Sequence, residues 1–458
     1  MTIPQGRLRR TAPLAALSAR AAGEGVVDVL RRRLKGERGA SLEFHVRNAE
    51  RYADVLSRSK GVLMKAGQIL SFVDTSAALD GQYGEVYRAA LASLQADAEP
   101  MEPVLVAAVI ESELGRPPEE VFAEFSPGPI AAASIGQVHK ARLQDGTEVA
   151  VKVQYPGVAD AIRDDLANTE LLFTFVKIAK GLVPQLRNVD VRSVADEVAE
   201  RIGEELDYGI ELANQMEFAD HYRGHPFARV PEVFPELSSD RVLTMEMIHG
   251  RRWTAVDDAD QELRGRWGEV IDRFFFGSIS RFGMFNADPH PGNYLFHDDG
   301  SVTFLDFGCV KRLGPAAQRG FWDMPSAAID SDADRLLRVC IDQGFIRADD
   351  PPPAEKLLAW CRQNFAALHE PQPFTFTPEF AAQILGHLVS MDKDVIRHVT
   401  LPRDFVFTNR IFVGLYSILG ALRATADWMA IFQEDVTGQP TTELGRLDAD
   451  FFAEKSNA

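Results

Sequence analysis

Apolar and polar positions divide the chain into a helical start, a short stretch of strands and a long helical remainder. "SLEFHVRNAERYADVLSRSKGVLMKAGQILSF" (41–72) sets apolar groups three and four residues apart with no proline, which predicts helices through 41–115. "GRPPEE" at 115–120 breaks that period, and its prolines suit the opening of a short helix. The period then falls to two. "VHKARL" (138–143), "QDG" and "TEVAVKVQY" (147–155) read as strand, tight turn and strand, a β-hairpin by pattern and turn chemistry. A helical stretch follows over 158–222, interrupted near Pro184, and then a strand in "RVLTMEMIHG" (241–250). From 261 the pattern is helical except in "NYLFHDDGSVTFLDFG", where strands at 294–297 and 302–305 flank the turn "DDG". The apolar run "IFVGLYSILGAL" (411–422) is too short to cross a bilayer at about 1.5 Å per residue and reads as a buried helix. No internal repeat and no low-complexity linker interrupts the order.

Composition narrows the class. At 458 residues the chain exceeds one ordinary core and implies two or three domains, or one large bilobal one. An apolar content of 46% with 25% charged residues is that of a folded globular protein. The net charge of −18 excludes nucleic acid as a partner, because duplex binding needs a basic surface to neutralise phosphates. Cys309, Cys340 and Cys361 are odd in number and widely spaced, so neither a disulfide framework nor a thiolate zinc site is expected. The N-terminus has arginines before an alanine-rich stretch but no unbroken apolar core, which predicts a cytoplasmic location. Residues 1–40 carry nine Lys/Arg (Arg7, Arg9, Arg10, Arg20, Arg31, Arg32, Arg33, Lys35, Arg38) against Glu24, Asp28 and Glu37. That excess of six describes a basic flexible arm, either solvated or in peripheral contact with the inner face of an anionic membrane.

The candidate chemistry lies in the order of four elements. Lys152 sits in the middle of the apolar strand "VAVKVQY", where an ammonium group needs an anion, whether a structural carboxylate or a phosphate. Upstream, Ala131, Ala132, Ala133, Ser134 and Gly136 place small side chains at a turn before the hairpin, letting backbone N–H groups approach phosphate oxygens. In "FNADPHPGNYLF", prolines and glycine at 289, 291 and 292 exclude helix, so Asp288 and Asn293 sit on a loop. Asp306 in "TFLDFG" ends a strand thirteen residues after Asn293, and a hairpin of that length returns it to Asn293's side. An aspartate and an asparagine offer hard oxygens suited to Mg²⁺, with Asp288 placed to accept a hydroxyl proton or orient a nucleophile. Strand lysine, then D-x-x-x-x-N, then D-F-G is the protein-kinase arrangement.

"KAGQ" (65–68), "AAASIGQVH" (131–139), "VAVKVQYPGV" (149–158), "EELDYGIELAN" (204–214), "ADPHPGN" (287–293) and "LDFG" (305–308) resemble the UbiB family of atypical kinase-like proteins from about 45 to 315. The resemblance implies an α+β, protein-kinase-like bilobal fold with an N-terminal helical extension. Its parts would be a basic arm at 1–40, the extension at 41–120, an N-lobe with an alanine-rich loop at 121–250 and a helical C-lobe at 251–458. It implies ATP and Mg²⁺ as cofactors, Lys152 on the phosphates, Asp288 as the catalytic aspartate, and Asn293 and Asp306 as metal ligands. Ala131, Ala132, Ala133, Ser134, Glu246 and Met247 complete the ATP-binding set. Lys65 and Gln68 match a Lys-x-Gly-Gln motif, and Glu205 and Asp207 a Glu-x-Asp motif. The helix carrying Lys65 is expected over the cleft where a protein kinase receives a peptide, with Glu205 or Asp207 as its charge partner. Glu197, Glu200, Glu204, Asp207 and Glu211 recur at helical spacing, and Glu197 and Glu205 are the candidate partners of Lys152.

Asn286 stands where many members have histidine, so any orienting role of that ring is lost or passes to an amide. The expected function is phosphoryl transfer or ATP hydrolysis beside prenyl-quinone or other lipid metabolism. The alternatives are an ATP-sensing scaffold for lipid enzymes and a small-molecule kinase, and the "KAGQ" and "EELD" motifs speak against the kinase.

Overall fold

The computed structural model describes residues 100–133, 135–166, 200, 203–389, 395, 398–400 and 408–457. Contacts divide the chain into two units, Met1–Gln144 with Val151–Leu206, and Asp145–Ala150 with Asp207–Ala458. The helical pattern of 41–99 and most of that of 158–199 lies outside the described residues, and Lys65, Gln68, Ser134 and Glu197 lie there with it.

In the first unit, α1 (Pro103–Leu114) opens on proline, whose missing N–H has no intrahelical partner to lose. It closes on Gly115, where φ of 72° turns the N–H back to the Glu111 carbonyl. The "RPPEE" segment forms the short helix α2 (Pro118–Val121). β1 (Glu124–Ala133), β2 (Gly136–Arg142) and β3 (Glu148–Gln154) follow, hydrogen-bonded in that order, with α3 (Val158–Leu166) after them. β2 and β3 run close at Gly136, where a Cβ would meet the Val153 carbonyl oxygen at 2.2 Å, so only glycine fits. A buried polar chain ties the approach to α1 onto the sheet. Gln137 accepts the Met101 N–H at 2.8 Å and its amide nitrogen meets His139 Nε2 at 2.8 Å, while His139 Nδ1 meets the Ser126 carbonyl. Burial lowers the His139 pKa, which keeps that ring neutral.

The second unit takes the hairpin turn, where Asp145 accepts the Thr147 N–H at 2.9 Å and Gly146 adopts φ of 93°. α4 (Tyr208–Tyr222) starts on Asp207, whose carboxylate accepts the Gly209 N–H at 2.8 Å. β4 (Ala228–Arg229) and β5 (Val242–Glu246) follow, and Met247 donates to the Glu148 carbonyl at 3.1 Å. α5 (Gln261–Phe282) is capped by Asp260, which accepts the Leu263 N–H at 2.8 Å, and ends on Gly283 at φ of 63°. β6 (Met284–Asn286), β7 (Tyr294–Phe296), β8 (Val302–Phe304) and β9 (Val310–Arg312) make two small sheets, β4-β8-β7 and β6-β9. The rest is mainly helical: α6 (Pro315–Ile329), α7 (Ala333–Asp342), α8 (Ala354–Asn364), α9 (Ala366–His369), α10 (Pro378–Val389), α11 (Thr408–Leu422), α12 (Trp428–Thr437) and α13 (Glu443–Ser456). The short pair β10 (Phe374–Thr375) and β11 (Thr425–Ala426) is inserted among them. Trp267, Phe285, Phe296 and Phe307 are fully buried in the core of this unit.

Sequence and structure agree at β7, β8, α2 and the buried helix α11, and no described helix is long and apolar enough to cross a membrane. They differ at β5, which stops at Glu246 although the apolar pattern runs on toward 250. They differ also at Ala131–Ala133, expected in a turn. These residues extend β1 and pair with Gly136, Gln137 and Val138 of β2, because alanines beside an open partner strand satisfy their backbone groups in the ladder. The contact division falls at 206/207, since β5 groups with the helical unit and with 145–150.

Candidate active site

The loop after β6 is closed at its base. Asn286 pairs with Val310 across β6 and β9, and Ala287 donates to the Cys309 carbonyl at 2.7 Å. The prolines at 289 and 291 force a tight turn in which the His290 N–H reaches the Asp288 carbonyl (2.8 Å) and the Asn293 N–H reaches the His290 carbonyl (2.9 Å). That turn folds Asn293 back on Asp288. Its Nδ2 donates to the Asp288 carbonyl at 3.1 Å and to Asp288 Oδ2 at 3.0 Å, which leaves Oδ1 as the amide's ligand atom. Tyr294 is buried behind the turn, and burial, with the Asp288 charge adding, pushes its phenol far above the ordinary value, so it stays protonated.

Asp306 comes back to the same place. Leu305 donates to the Asn293 carbonyl at 3.0 Å, and Asp306 Oδ1 accepts the Gly308 N–H at 3.0 Å. Asn286 bridges the two loops. Its Oδ1 accepts the Asp288 N–H at 3.0 Å and its Nδ2 donates to the Asp306 carbonyl, so an amide orients this pair of loops where a histidine ring was a possible occupant. Asp288, Asn293 and Asp306 are each half-buried, and the sequence-predicted trio therefore shares one site within the second unit.

α4 is fastened to this loop. Asn214 donates to the Phe307 carbonyl at 3.0 Å and accepts from Arg312 at 3.1 Å, while Phe218 packs on Phe307 with centroids 4.8 Å apart. Glu211, one turn earlier on α4, is only 3% exposed. A Cβ on Gly308 would lie 3.3 Å from Asp306 Oδ1 and 3.7 Å from Glu211 Oε2, so both carboxylates border that glycine. Glu211 appears in the sequence only as the last of five evenly spaced acids, and spacing alone does not reveal which of them is buried. Asp207 caps α4, and Glu205 lies half-buried in a helical turn two residues before it.

In the first unit Lys152 lies 9% exposed between the buried Val151 and Val153, as an apolar strand lysine is expected to. At the end of β5 the Glu246 N–H is committed to the Glu232 carbonyl at 2.7 Å and the Met247 N–H to Glu148, so neither backbone donor is held for a ligand.

The oxygen donors of Asn293 and Asp306 fit Mg²⁺, which takes few protein ligands when phosphates complete its shell. Among the described residues no group of three or more His, Cys, Asp or Glu side chains could hold a metal ion by itself.

Residues 93–340 match the family model of the ABC1 atypical kinase-like domain. The mitochondrial atypical kinase COQ8B of Rattus norvegicus is 33% identical over 350 residues, covering 75% of this chain and 64% of its own length. The mitochondrial atypical kinase COQ8 of Saccharomyces cerevisiae is 32% identical, covering 68% of this chain and 60% of its own. The chloroplastic protein ACTIVITY OF BC1 COMPLEX KINASE 1 of Arabidopsis thaliana is 33% identical over 66% of this chain and 44% of its own length. A Mycobacterium tuberculosis protein solved as a complex with erythromycin has a TM-score of 0.61 at 32% identity, covering 84% of this chain and 94% of that one. The chain thus spans less than two thirds of the rat relative and under half of the Arabidopsis one.

Proposed function

Because the chain belongs to the ABC1 atypical kinase-like (UbiB) family and has its α+β kinase-like fold, we propose that it binds Mg-ATP and catalyses phosphoryl transfer or ATP hydrolysis. The observation that carries this reading is the convergence of Asp288, Asn293 and Asp306 under one bridging amide, Asn286. In this reading Asp288 accepts the proton of the attacking hydroxyl or water and is held in place through its backbone N–H. Asn293 and Asp306 hold the metal, which when bound neutralises phosphate charge during transfer. Lys152 holds phosphate oxygens, with Glu197 or Glu205 as its candidate acid partner. Ala131, Ala132, Ala133 and Ser134 cover the nucleotide, and Glu246 and Met247 contact it through groups other than their committed N–H donors. Lys65 and Gln68 of the Lys-x-Gly-Gln motif and Glu205 and Asp207 of the Glu-x-Asp motif are assigned a regulatory role in nucleotide handling. A role beside prenyl-quinone or other lipid metabolism follows from the resemblance, with the basic arm at 1–40 as the membrane contact.

The test pairs two substitutions. Wild-type protein should release phosphate from Mg-ATP, and adding acidic vesicles with a quinone-like phenol should raise the rate. Asp288→Asn should keep the Mg-ATP thermal shift and lose about 100-fold or more in release. Asp306→Asn should lose the Mg-dependent part of the shift. Wild-type phosphate release in Asp288→Asn would sink the assignment.

A further inference from the structure

The helical part of the second unit holds a partly open cavity of about 60 Å³ among α5, α6, α11 and α12. That is room for on the order of four to six water-sized groups. Its walls are aromatic: Phe276, Phe321, Trp322, Phe412, Tyr416 and Trp428. Phe321 stacks on Phe412 with centroids 5.7 Å apart and planes 14° off parallel, and Phe276 stands 5.9 Å from Trp322 and 6.0 Å from Phe412.

Two carboxylates, Asp272 of α5 and Asp435 of α12, open into this apolar space. Asp272 is only 8% exposed. Among the described residues neither forms an ion pair and neither side chain accepts a hydrogen bond, although buried carboxylates ordinarily do both. The nearby cations are engaged elsewhere, Arg273 with Glu269 (2.8 Å) and Glu434 (2.9 Å) and Arg281 with Asp448. Burial raises both carboxyl pKa values, that of Asp435 up to about 7, and outweighs the opposing pull of Arg273 on each. The cavity therefore holds two acid groups with unused acceptors beside π-faces, and a cation placed between them is what would favour their charged form.

Chemistry selects the occupant. An anion opposes ionisation of either acid, and a purely apolar guest leaves both carboxyl groups without a partner. A bare metal ion finds only two hard ligands and otherwise aromatic carbon. An alkylammonium ion donates to the carboxylates while its methyl groups lie against ring faces, the arrangement that aromatic cages use for such cations.

We propose that this cavity is a binding site for a small organic ammonium ion, held between Asp272 and Asp435 against the aromatic walls. The site is separate from the candidate active site and does not rest on its assignment.

tert-Butylammonium and its near-isosteric neutral analogue tert-butanol are the probes, titrated into the full chain at matched ionic strength. Binding is followed by tryptophan fluorescence, which Trp322 and Trp428 report from the cavity wall, and by ligand-detected NMR. Saturable binding of the ammonium ion, at least tenfold tighter than of the alcohol, is expected. Asp272→Asn should weaken it tenfold or more while leaving the Mg-ATP thermal shift at the wild-type value. Equal affinities for the two probes, no saturable binding of the ammonium ion, or unchanged affinity in both Asp272→Asn and Asp435→Asn would each overturn the proposal. If neither variant folds, the wild-type comparison of the two probes decides alone.

Discussion

Single groups set the chemistry here, and their legibility from sequence varies with what defines them. Asp288, Asn293 and Asp306 are readable because residue type, the turn-forming prolines and the hairpin length fix their convergence. Glu211 is not, because five acids share its spacing and only burial separates them. Asn286 is half readable: its amide is visible in the sequence, but its hold on both loops arises only once β6 and β9 pair. Replacing it by alanine frees the Asp288 N–H and the Asp306 carbonyl together. Asn286→Ala is expected to lower phosphate release tenfold or more while moving the Mg-ATP thermal shift far less, and an equal loss of both would make the amide a plain binding residue. Asp435 gives a second residue-level outcome. Its folded pKa of about 7 lies above the ordinary 3.8, so the folded chain holds a proton that the unfolded chain releases. The resulting penalty is absent below pH 3.8, grows as pH rises toward 7 and is then constant. Asp435→Asn should therefore stabilise the protein more at pH 8 than at pH 5, by on the order of a few kcal/mol. Thermal melts of both proteins across that range check it, and a pH-independent difference contradicts it.

At the level of elements, long periodic segments and turn chemistry carried the prediction. β7, β8 and the 145–146 turn were legible because turn residues mark each hairpin, whereas β4, β6, β9, β10 and β11 are equally short and pair with distant strands across no tight turn. The alanine segment was misplaced because small residues suit a turn and a strand end alike, and only the register against β2 decides. Asp207 shows an element-level role inside a motif expected to carry chemistry, since it caps α4. Asp207→Ala is expected to cost about 1 kcal/mol and Asp207→Asn much less, because asparagine also accepts the N2 N–H. Chemical denaturation measures this, and equal losses in the two variants would point away from capping. Gly136→Ala should be worse. The new methyl would meet the Val153 carbonyl, a backbone atom, so β2 or β3 must shift, and a loss of about 2 kcal/mol or more is expected. A melt within a degree of wild type would show that the hairpin opens easily there.

Across the whole molecule, charge is unevenly spread, with a net −18 overall and an excess of six positive charges in the first 40 residues. If that arm is the membrane contact, binding to acidic vesicles should fall as salt rises and disappear when 1–40 are deleted. Co-sedimentation checks both, and binding that survives the deletion moves the contact elsewhere. Length and composition left two or three domains, or one bilobal one, open; in the fold β5 groups with 145–150, a piece of chain about 90 residues earlier. The path therefore passes between the units three times, at 144/145, 150/151 and 206/207, and neither unit is one uninterrupted stretch. Expressing 207–458 as a gene fragment would strip β5 of the neighbour at 148–150 and bare the edge of a strand whose residues Val242, Leu243, Thr244 and Met245 are all buried. Such an edge recruits other chains, so the fragment should aggregate where the full chain stays dispersed.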